Sequence, residues 1–348
     1  MAQTSPTRRL VTGALAGALL ISLCGRDGRA GTLRDVAFTD TTPLADTTEL
    51  ARRLLSPLTA AELPRLMVRS ATSLAEQPID LSRETFVLHV PDAVPAQGYG
   101  MIVFVPPWNL AKVPDGWGPV LDRYGIIFVS ASRSGNDESG IGRREPLALI
   151  AEANVVRRYP VDKARIYIAG FSGVSRVAMR LALGYPDVFR GAILNAGSDA
   201  IGNAAVPLPP GELFLRFQES THLVYVSGDR DVFVQSFDSA SARSMRAWCV
   251  FDVDVQRERS VGHEAMDGAA LARALDALLA PAAPDSRRLA ACRSALEDEL
   301  AGKLQQERSL IATGPPAAAR ALLDDINARF GGLAAPQSLV LEKAFGGP

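Results

Sequence analysis

The chain of 348 residues is poor in the groups that build metal and redox centres, with three cysteines and three histidines in all. None of these forms a cluster with metal-ligand spacing, so no metal is expected, and no motif calls for a cofactor. A charge bias is also missing. The formal net charge is −1 and no basic stripe interrupts the sequence, so nothing points to a nucleic-acid partner. There is no convincing internal repeat. The apolar run from Leu10 to Leu23 is too short for a convincing membrane span.

What is present is an ordinary globular composition, 47% apolar and 22% charged, with ample material for a core. The length suits one large α/β domain with additions, or two domains. Arg8 and Arg9 precede the apolar run and small and polar residues follow it, which is the layout of a signal peptide over residues 1–30. Gly28-Arg29-Ala30 offers a cleavage place. Cys24 offers another reading, as a lipidated first residue, although Leu23 stands where lipoproteins usually carry a small one. Export to the periplasm or the medium is the expectation. Cys249 and Cys292 would then remain, either joined as one disulfide that pins the C-terminal helices to the main domain or as two separate buried thiols.

Along the chain, residues 31–84 read as an N-terminal arm with two short helices. From Thr85 to about residue 280 apolar runs alternate with helical patterns. The runs are Thr85–Val90, Tyr99–Val105, Gly125–Ser130, Ile166–Ala169, Gly191–Asn195, His222–Ser227 and Val250–Val255. Helices are predicted over Pro146–Tyr159, Ser175–Tyr185, Ser239–Trp248 and Gly268–Leu279. Continuous rather than alternating apolar runs indicate strands buried on both faces, hence a doubly wound, mostly parallel α/β sheet. Residues 281–348 read as a helical hairpin, Arg287–Ile311 and Pro316–Phe330, that either docks on the domain or meets a partner.

The most informative stretch is Ile166-Tyr-Ile-Ala-Gly-Phe-Ser-Gly173 and the helix after it. A serine on a sharp strand-to-helix turn needs small neighbours, because strand and helix pass closely, and it sits where free N–H groups can stabilise an oxyanion. Gly170, Ser172 and Gly173 fit this pattern. Val174 stands where such turns usually carry glycine. A serine nucleophile needs a base and an acid to orient it. His89 lies within a strand and His222 opens one at the wrong sheet edge, which leaves His263 in the loop after the last strand. Asp229 and Asp231 both follow the penultimate strand. On position alone either could orient the base while the other caps the turn; in serine hydrolases that this loop resembles, the acid commonly stands in the spacing Gly228-x-x-Asp231-x-x-Val234, which implies Asp231.

These segments, with Tyr185-Pro-Asp-Val-Phe-Arg-Gly191 and Gly262-His-Glu264, resemble the α/β-hydrolases, and more narrowly the secreted esterases related to polyhydroxyalkanoate depolymerases and feruloyl esterases. The resemblance covers roughly residues 85–280. It implies an α/β-hydrolase fold, a Ser172–His263–Asp231 triad and ester hydrolysis through an acyl-enzyme. One oxyanion donor would be Gly173 N–H. The family's His-Gly after the second strand is replaced by Pro106-Pro107, which have no N–H, so the other donor would be Trp108 or Asn109. Trp108 and Trp117 are candidates to stack on an acyl or aromatic group. Asn136 and Arg144, with Arg133 and Arg143, either line the substrate site or tie down a long loop. The expected partner is a small or polymeric ester substrate, with residues 281–348 a further contact surface if they do not simply dock. Two alternatives accompany this reading: a catalytically silent binding module of the same fold, and a peptidase.

Overall fold

The computed structural model describes Met1 and residues 30–69, 75–280 and 285–346, with backbone alone over 66–69. The signal segment, with Arg8, Arg9, Leu10–Leu23 and Cys24, lies outside the described residues. The chain opens with strand β1 (Gly31–Val36) and helices α1 (Thr47–Leu54) and α2 (Pro57–Arg69). Then come β2 (Phe86–Val90), β3 (Tyr99–Val105), α3 (Gly118–Tyr124), β4 (Ile126–Ala131), α4 (Glu145–Arg158), β5 (Val161–Phe171) and α5 (Ser175–Gly184). After these follow β6 (Gly191–Asn195), α6 (Gly211–Ser220), β7 (His222–Gly228), α7 (Val232–Ala247), β8 (Val253–Glu258) and α8 (Gly268–Leu279). The C-terminal helices are α9 (Ser286–Thr313), α10 (Pro316–Phe330) and α11 (Gln337–Glu342).

All eight strands join one sheet in the order β1-β2-β4-β3-β5-β6-β7-β8. From β4 to β8 every pairing is parallel, whereas β1 and β2 run antiparallel to their neighbours. The continuous apolar runs are explained by two covered faces. Ile102, Phe104, Tyr167, Ala169, Ile193 and Val224 pack with α3 and α8. Their strand neighbours Met101, Val103, Ile166, Ile168, Ala192 and Leu223 pack with α4, α5 and α6 in the larger core. This is the α/β-hydrolase architecture.

The edges differ from expectation. β1, a strand the sequence did not announce, and β8, which begins three residues later than predicted, are half-exposed. Thr32, Arg34 and Arg257 are exposed and Asp254 and Gln256 are half-buried, so polar residues interrupt both strands and neither carries an apolar run. α7 starts at Val232, capped by Asp231, rather than near Ser239; its first turns expose Val232 and Phe233 and bury Val234 with the polar Asp238, so no apolar stripe marks them in the sequence.

The C-terminal helices pack against the body. Arg293 of α9 donates to Gln218 Oε1 at 2.7 Å, Glu219 Oε1 at 2.8 Å and the Leu215 carbonyl at 3.0 Å, all on α6. Trp248 meets Phe330 edge-on at 5.7 Å between ring centres. Cys249 and Cys292 form a disulfide, which settles the choice left by the sequence. Among the described residues no helix is long and apolar enough to cross a membrane.

The disulfide spans 43 residues of sequence, and a loop of that length restricts the unfolded chain enough to stabilise the fold by about 4 kcal/mol. Reduction, or Cys292→Ser, should therefore lower the urea midpoint and expose the 285–346 region to limited proteolysis before the sheet. Identical denaturation curves for oxidised and reduced protein would contradict this.

Candidate active site

The sheet's carboxyl edge gathers the candidate residues because of its register. The end of β3 (Val105) lies beside Gly170, and Phe171 lies beside Asn195 at the end of β6. Val226 of β7 lies beside Asn195, and Glu258 of β8 beside Gly228. Loops leaving β3, β5, β7 and β8 must therefore emerge side by side, where open α/β sheets bind their ligands.

Ser172 occupies the turn between β5 and α5 with φ of +61°, a left-handed conformation that a serine adopts only where its surroundings impose it. Gly170 permits the turn: a Cβ there would lie 2.6 Å from the Val174 carbonyl oxygen and 2.9 Å from Ser175 Cα. Val174 needs no such freedom. Its backbone is right-handed helical (φ −83°, ψ −10°) and its side chain is fully buried in the main core. The departure from glycine at this place is thus absorbed by packing.

Ser172 Oγ lies 2.8 Å from His263 Nε2, and His263 Nδ1 lies 2.6 Å from Asp231 Oδ2. In the tautomer with its proton on Nδ1, His263 donates to Asp231 and leaves Nε2 to accept from Ser172 Oγ–H. Asp231 is anchored twice, because its other carboxylate oxygen caps α7 by accepting from Val234 N–H at 3.4 Å. The Asp231 side chain is 9% exposed and that of His263 45%, so the dyad opens to solvent on the histidine side. Phe171 lies tilted beside the imidazole, 5.2 Å between ring centres.

The loops carrying Asp231 and His263 are tied together. Arg230 N–H donates to the Val261 carbonyl at 3.0 Å, and Asp229 Oδ1 accepts from Ser260 N–H at 2.8 Å. Asp229 is thus a clamp on the histidine loop. Gly228 is required here, since a Cβ would lie 2.2 Å from Val261 O.

Two further supports were not legible in the sequence. Buried Asn195 accepts from Met266 N–H at 2.8 Å and donates to the Val226 carbonyl at 3.1 Å, tying the histidine loop to the sheet. Buried Asp238 accepts from Ser198 Oγ and Ser227 Oγ, both at 2.6 Å, and fixes the loop after β6. Both partnerships join residues remote in sequence, and no local pattern announces them.

The other candidates separate. Neither Trp108 N–H nor Asn109 N–H donates to the backbone of the described residues, which leaves both free. The Asn109 side chain accepts from Gly135 N–H at 3.2 Å and its carbonyl from Arg133 N–H at 2.6 Å, so the loop is held. Trp117 does not reach the cleft. It is 1% exposed, packs on Phe104 and Phe128, and donates its indole N–H to the Met266 carbonyl at 2.9 Å. The expectation that it stacks on substrate is corrected accordingly. Arg133 and Arg143 both converge on the buried Glu84 carboxylate, at 2.7 and 2.6 Å, and so tie down the loop. Arg144 and Asn136 line a cavity that starts at Gly173. Among the described residues no group of three or more His, Cys, Asp and Glu side chains is arranged to hold a metal ion.

No protein-family profile and no curated protein matches the chain. Among solved structures it is similar to the poly(3-hydroxybutyrate) depolymerase LpqC of Bordetella parapertussis, at 16% identity over 60% of this chain and 88% of that one, TM-score 0.42. It is similar also to S-formylglutathione hydrolase FrmB of Staphylococcus aureus, at 11% identity over 56% and 91%, TM-score 0.42. A Bacteroides ovatus protein described as a dipeptidyl aminopeptidase IV aligns at 17% identity and TM-score 0.41 over 56% of this chain, which spans only 33% of that longer one. Such scores are too low to carry a functional argument, and the architecture rests on the strand order above.

Burial pushes the Asp238 carboxyl above its ordinary value of 3.8, against the opposing pull of the two serine hydroxyls. The folded state then holds that proton more tightly than the unfolded state. Its contribution is fully present below 3.8 and is lost as pH rises through the raised folded value. Urea melts of the wild type and Asp238→Asn across this range should show a stability gap that shifts in favour of the variant as pH rises. A pH-independent gap would contradict it.

Proposed function

We propose that this protein is a serine hydrolase that cleaves a carboxylic ester through an acyl-enzyme. The observation that carries the reading is the unbroken chain Ser172 Oγ–His263–Asp231 on a left-handed strand-to-helix turn. Ser172 Oγ attacks the ester carbonyl carbon while His263 Nε2 takes its proton, and Asp231 holds the imidazole and balances its charge. The oxyanion is received by Gly173 N–H and by the N–H of Trp108 or Asn109. Collapse of the tetrahedral species expels the alcohol, whose oxygen takes the proton from His263. Water then attacks the acyl-enzyme with His263 again as base, the bond from the acyl carbon to Ser172 Oγ breaks as His263 returns the proton to that oxygen, and the acid leaves.

Pro106 and Pro107 narrow the choice of donor without removing it. A hole reduced to one donor would cost about 3 kcal/mol of transition-state stabilisation and slow the reaction without abolishing it. An open cleft suits small or polymeric esters. Apolar side chains stand exposed around it: Val232 and Phe233 directly after Asp231, and Leu110 after the Trp108–Asn109 pair. The Cys249–Cys292 disulfide fits an oxidising compartment, which supports export.

Initial rates on para-nitrophenyl acetate test the reading. Ser172→Ala and His263→Ala should each lower kcat by on the order of 10⁴ or more, and Asp231→Asn by a similar factor. Asp231→Asn keeps an oxygen to cap α7, so the variant should fold. Wild-type rates in all three would remove the proposal.

A further inference from the structure

The cleft continues into a cavity of about 640 Å³ whose lining begins at Gly173 and includes Asn136, Glu145, Asp199 and the three arginines 144, 176 and 180. No residue of the histidine loop is among those that line it. Because His263 must hand its proton to the alcohol oxygen, the alcohol part belongs on the histidine side and the acyl part on the Gly173 side. The cavity is therefore placed to take the acyl group, provided the hydrolase reading above is right.

Its charges are uneven. Three arginines face two carboxyls, so the lining is net positive whatever the state of Glu145. Arg176 is matched by Asp199 at 2.9 Å. Among the described residues Arg180 donates to two carbonyls, those of Ala205 and Leu54 at 3.2 Å each, and gains no counter-charge from them. Arg144 is the outlier. Its Nε is buried and has no hydrogen-bond partner among the described residues. The side chain as a whole is half-buried, so one N–H is withdrawn from water unmatched while the rest of the fork stays reachable, and a planar carboxylate is the group that fork fits best.

Glu145 supplies the second observation. It is 2% exposed, it lies against Gly140 in the single wide turn Gly140–Arg144, and its Oε2 has no partner among the described residues. Burial pushes this carboxyl up, although Arg180 and Arg144 pull the other way. A carboxyl whose charged form is disfavoured by burial opposes an incoming carboxylate less than an exposed glutamate would.

We infer that the cavity binds a free carboxylate at the far end of the acyl group, so that the preferred substrates are half-esters of dicarboxylic acids. Arg144 is the principal contact and Arg176 and Arg180 supply the surrounding positive field.

The test compares para-nitrophenyl hemiadipate with para-nitrophenyl hexanoate, acyl chains of equal length, with spontaneous hydrolysis subtracted. Wild-type kcat/KM should favour the half-ester by at least about tenfold. Arg144→Gln should bring the ratio close to one, Arg144→Lys should retain part of the preference, and Arg176→Gln should reduce it less than Arg144→Gln does. A wild-type ratio near one, or a ratio unaltered in Arg144→Gln, overturns the inference and leaves the hydrolase reading standing. If neither ester is turned over, that reading fails, and calorimetric titration with monomethyl adipate decides the pocket by itself. Binding seen in the wild type and lost in Arg144→Gln supports the carboxylate site, and no binding to the wild type overturns it.

Discussion

The close crossing of β5 and α5 at Gly170 is the constraint on which the cleft depends. With a Cβ at that position the strand could not turn directly into the helix, since 2.6 Å from a carbonyl oxygen is not a contact a real side chain makes. Because the turn is that tight, Ser172 is held at φ +61° and its hydroxyl stands clear of the sheet. Every other part of the site is arranged around that fixed oxygen. The parallel register brings the loops from β3, β7 and β8 to it, the links from Asn195 and Asp229 hold the histidine loop, and Asp238 holds the loop after β6.

How much of this was legible in the sequence follows from burial. Central strands such as Tyr99–Val105 and Gly191–Asn195 read with their observed bounds, because both faces of the sheet are covered and every position but Asn195 is apolar or small. The half-exposed edges β1 and β8 gave no such run. With three histidines in the chain, the order of Ser172, Asp231 and His263 along the sequence narrowed the search to a single set, and the geometry then brings the three side chains within hydrogen-bond reach. A tryptophan in a loop carries no such information. Trp117 looks like a substrate contact in sequence and is a buried anchor in space. Asn195 was hidden for a related reason: its partner Met266 is 71 residues away.

Val174 and the Pro106-Pro107 pair are the two places where the chain departs from the α/β-hydrolase pattern, and they are not equivalent. Val174 has a helical backbone and a fully buried side chain, so it costs the elbow nothing visible. The prolines remove two donors from the loop in which the proposed oxyanion hole takes one, and the N–H groups of Trp108 and Asn109 follow at once. The adjoining arginines divide in the same way. Arg133 and Arg143 are spent on Glu84, and Arg144, next in the chain, faces the cavity with its Nε unmatched.

The central claim is that Ser172 is an activated nucleophile. Intact-mass analysis after exposure to a fluorophosphonate, with the modified residue located by peptide mapping, tests it most directly. The account predicts one adduct per chain, on Ser172, and none on Ser172→Ala. Folded wild-type protein that takes up no adduct, or that carries it on another residue, would contradict the account.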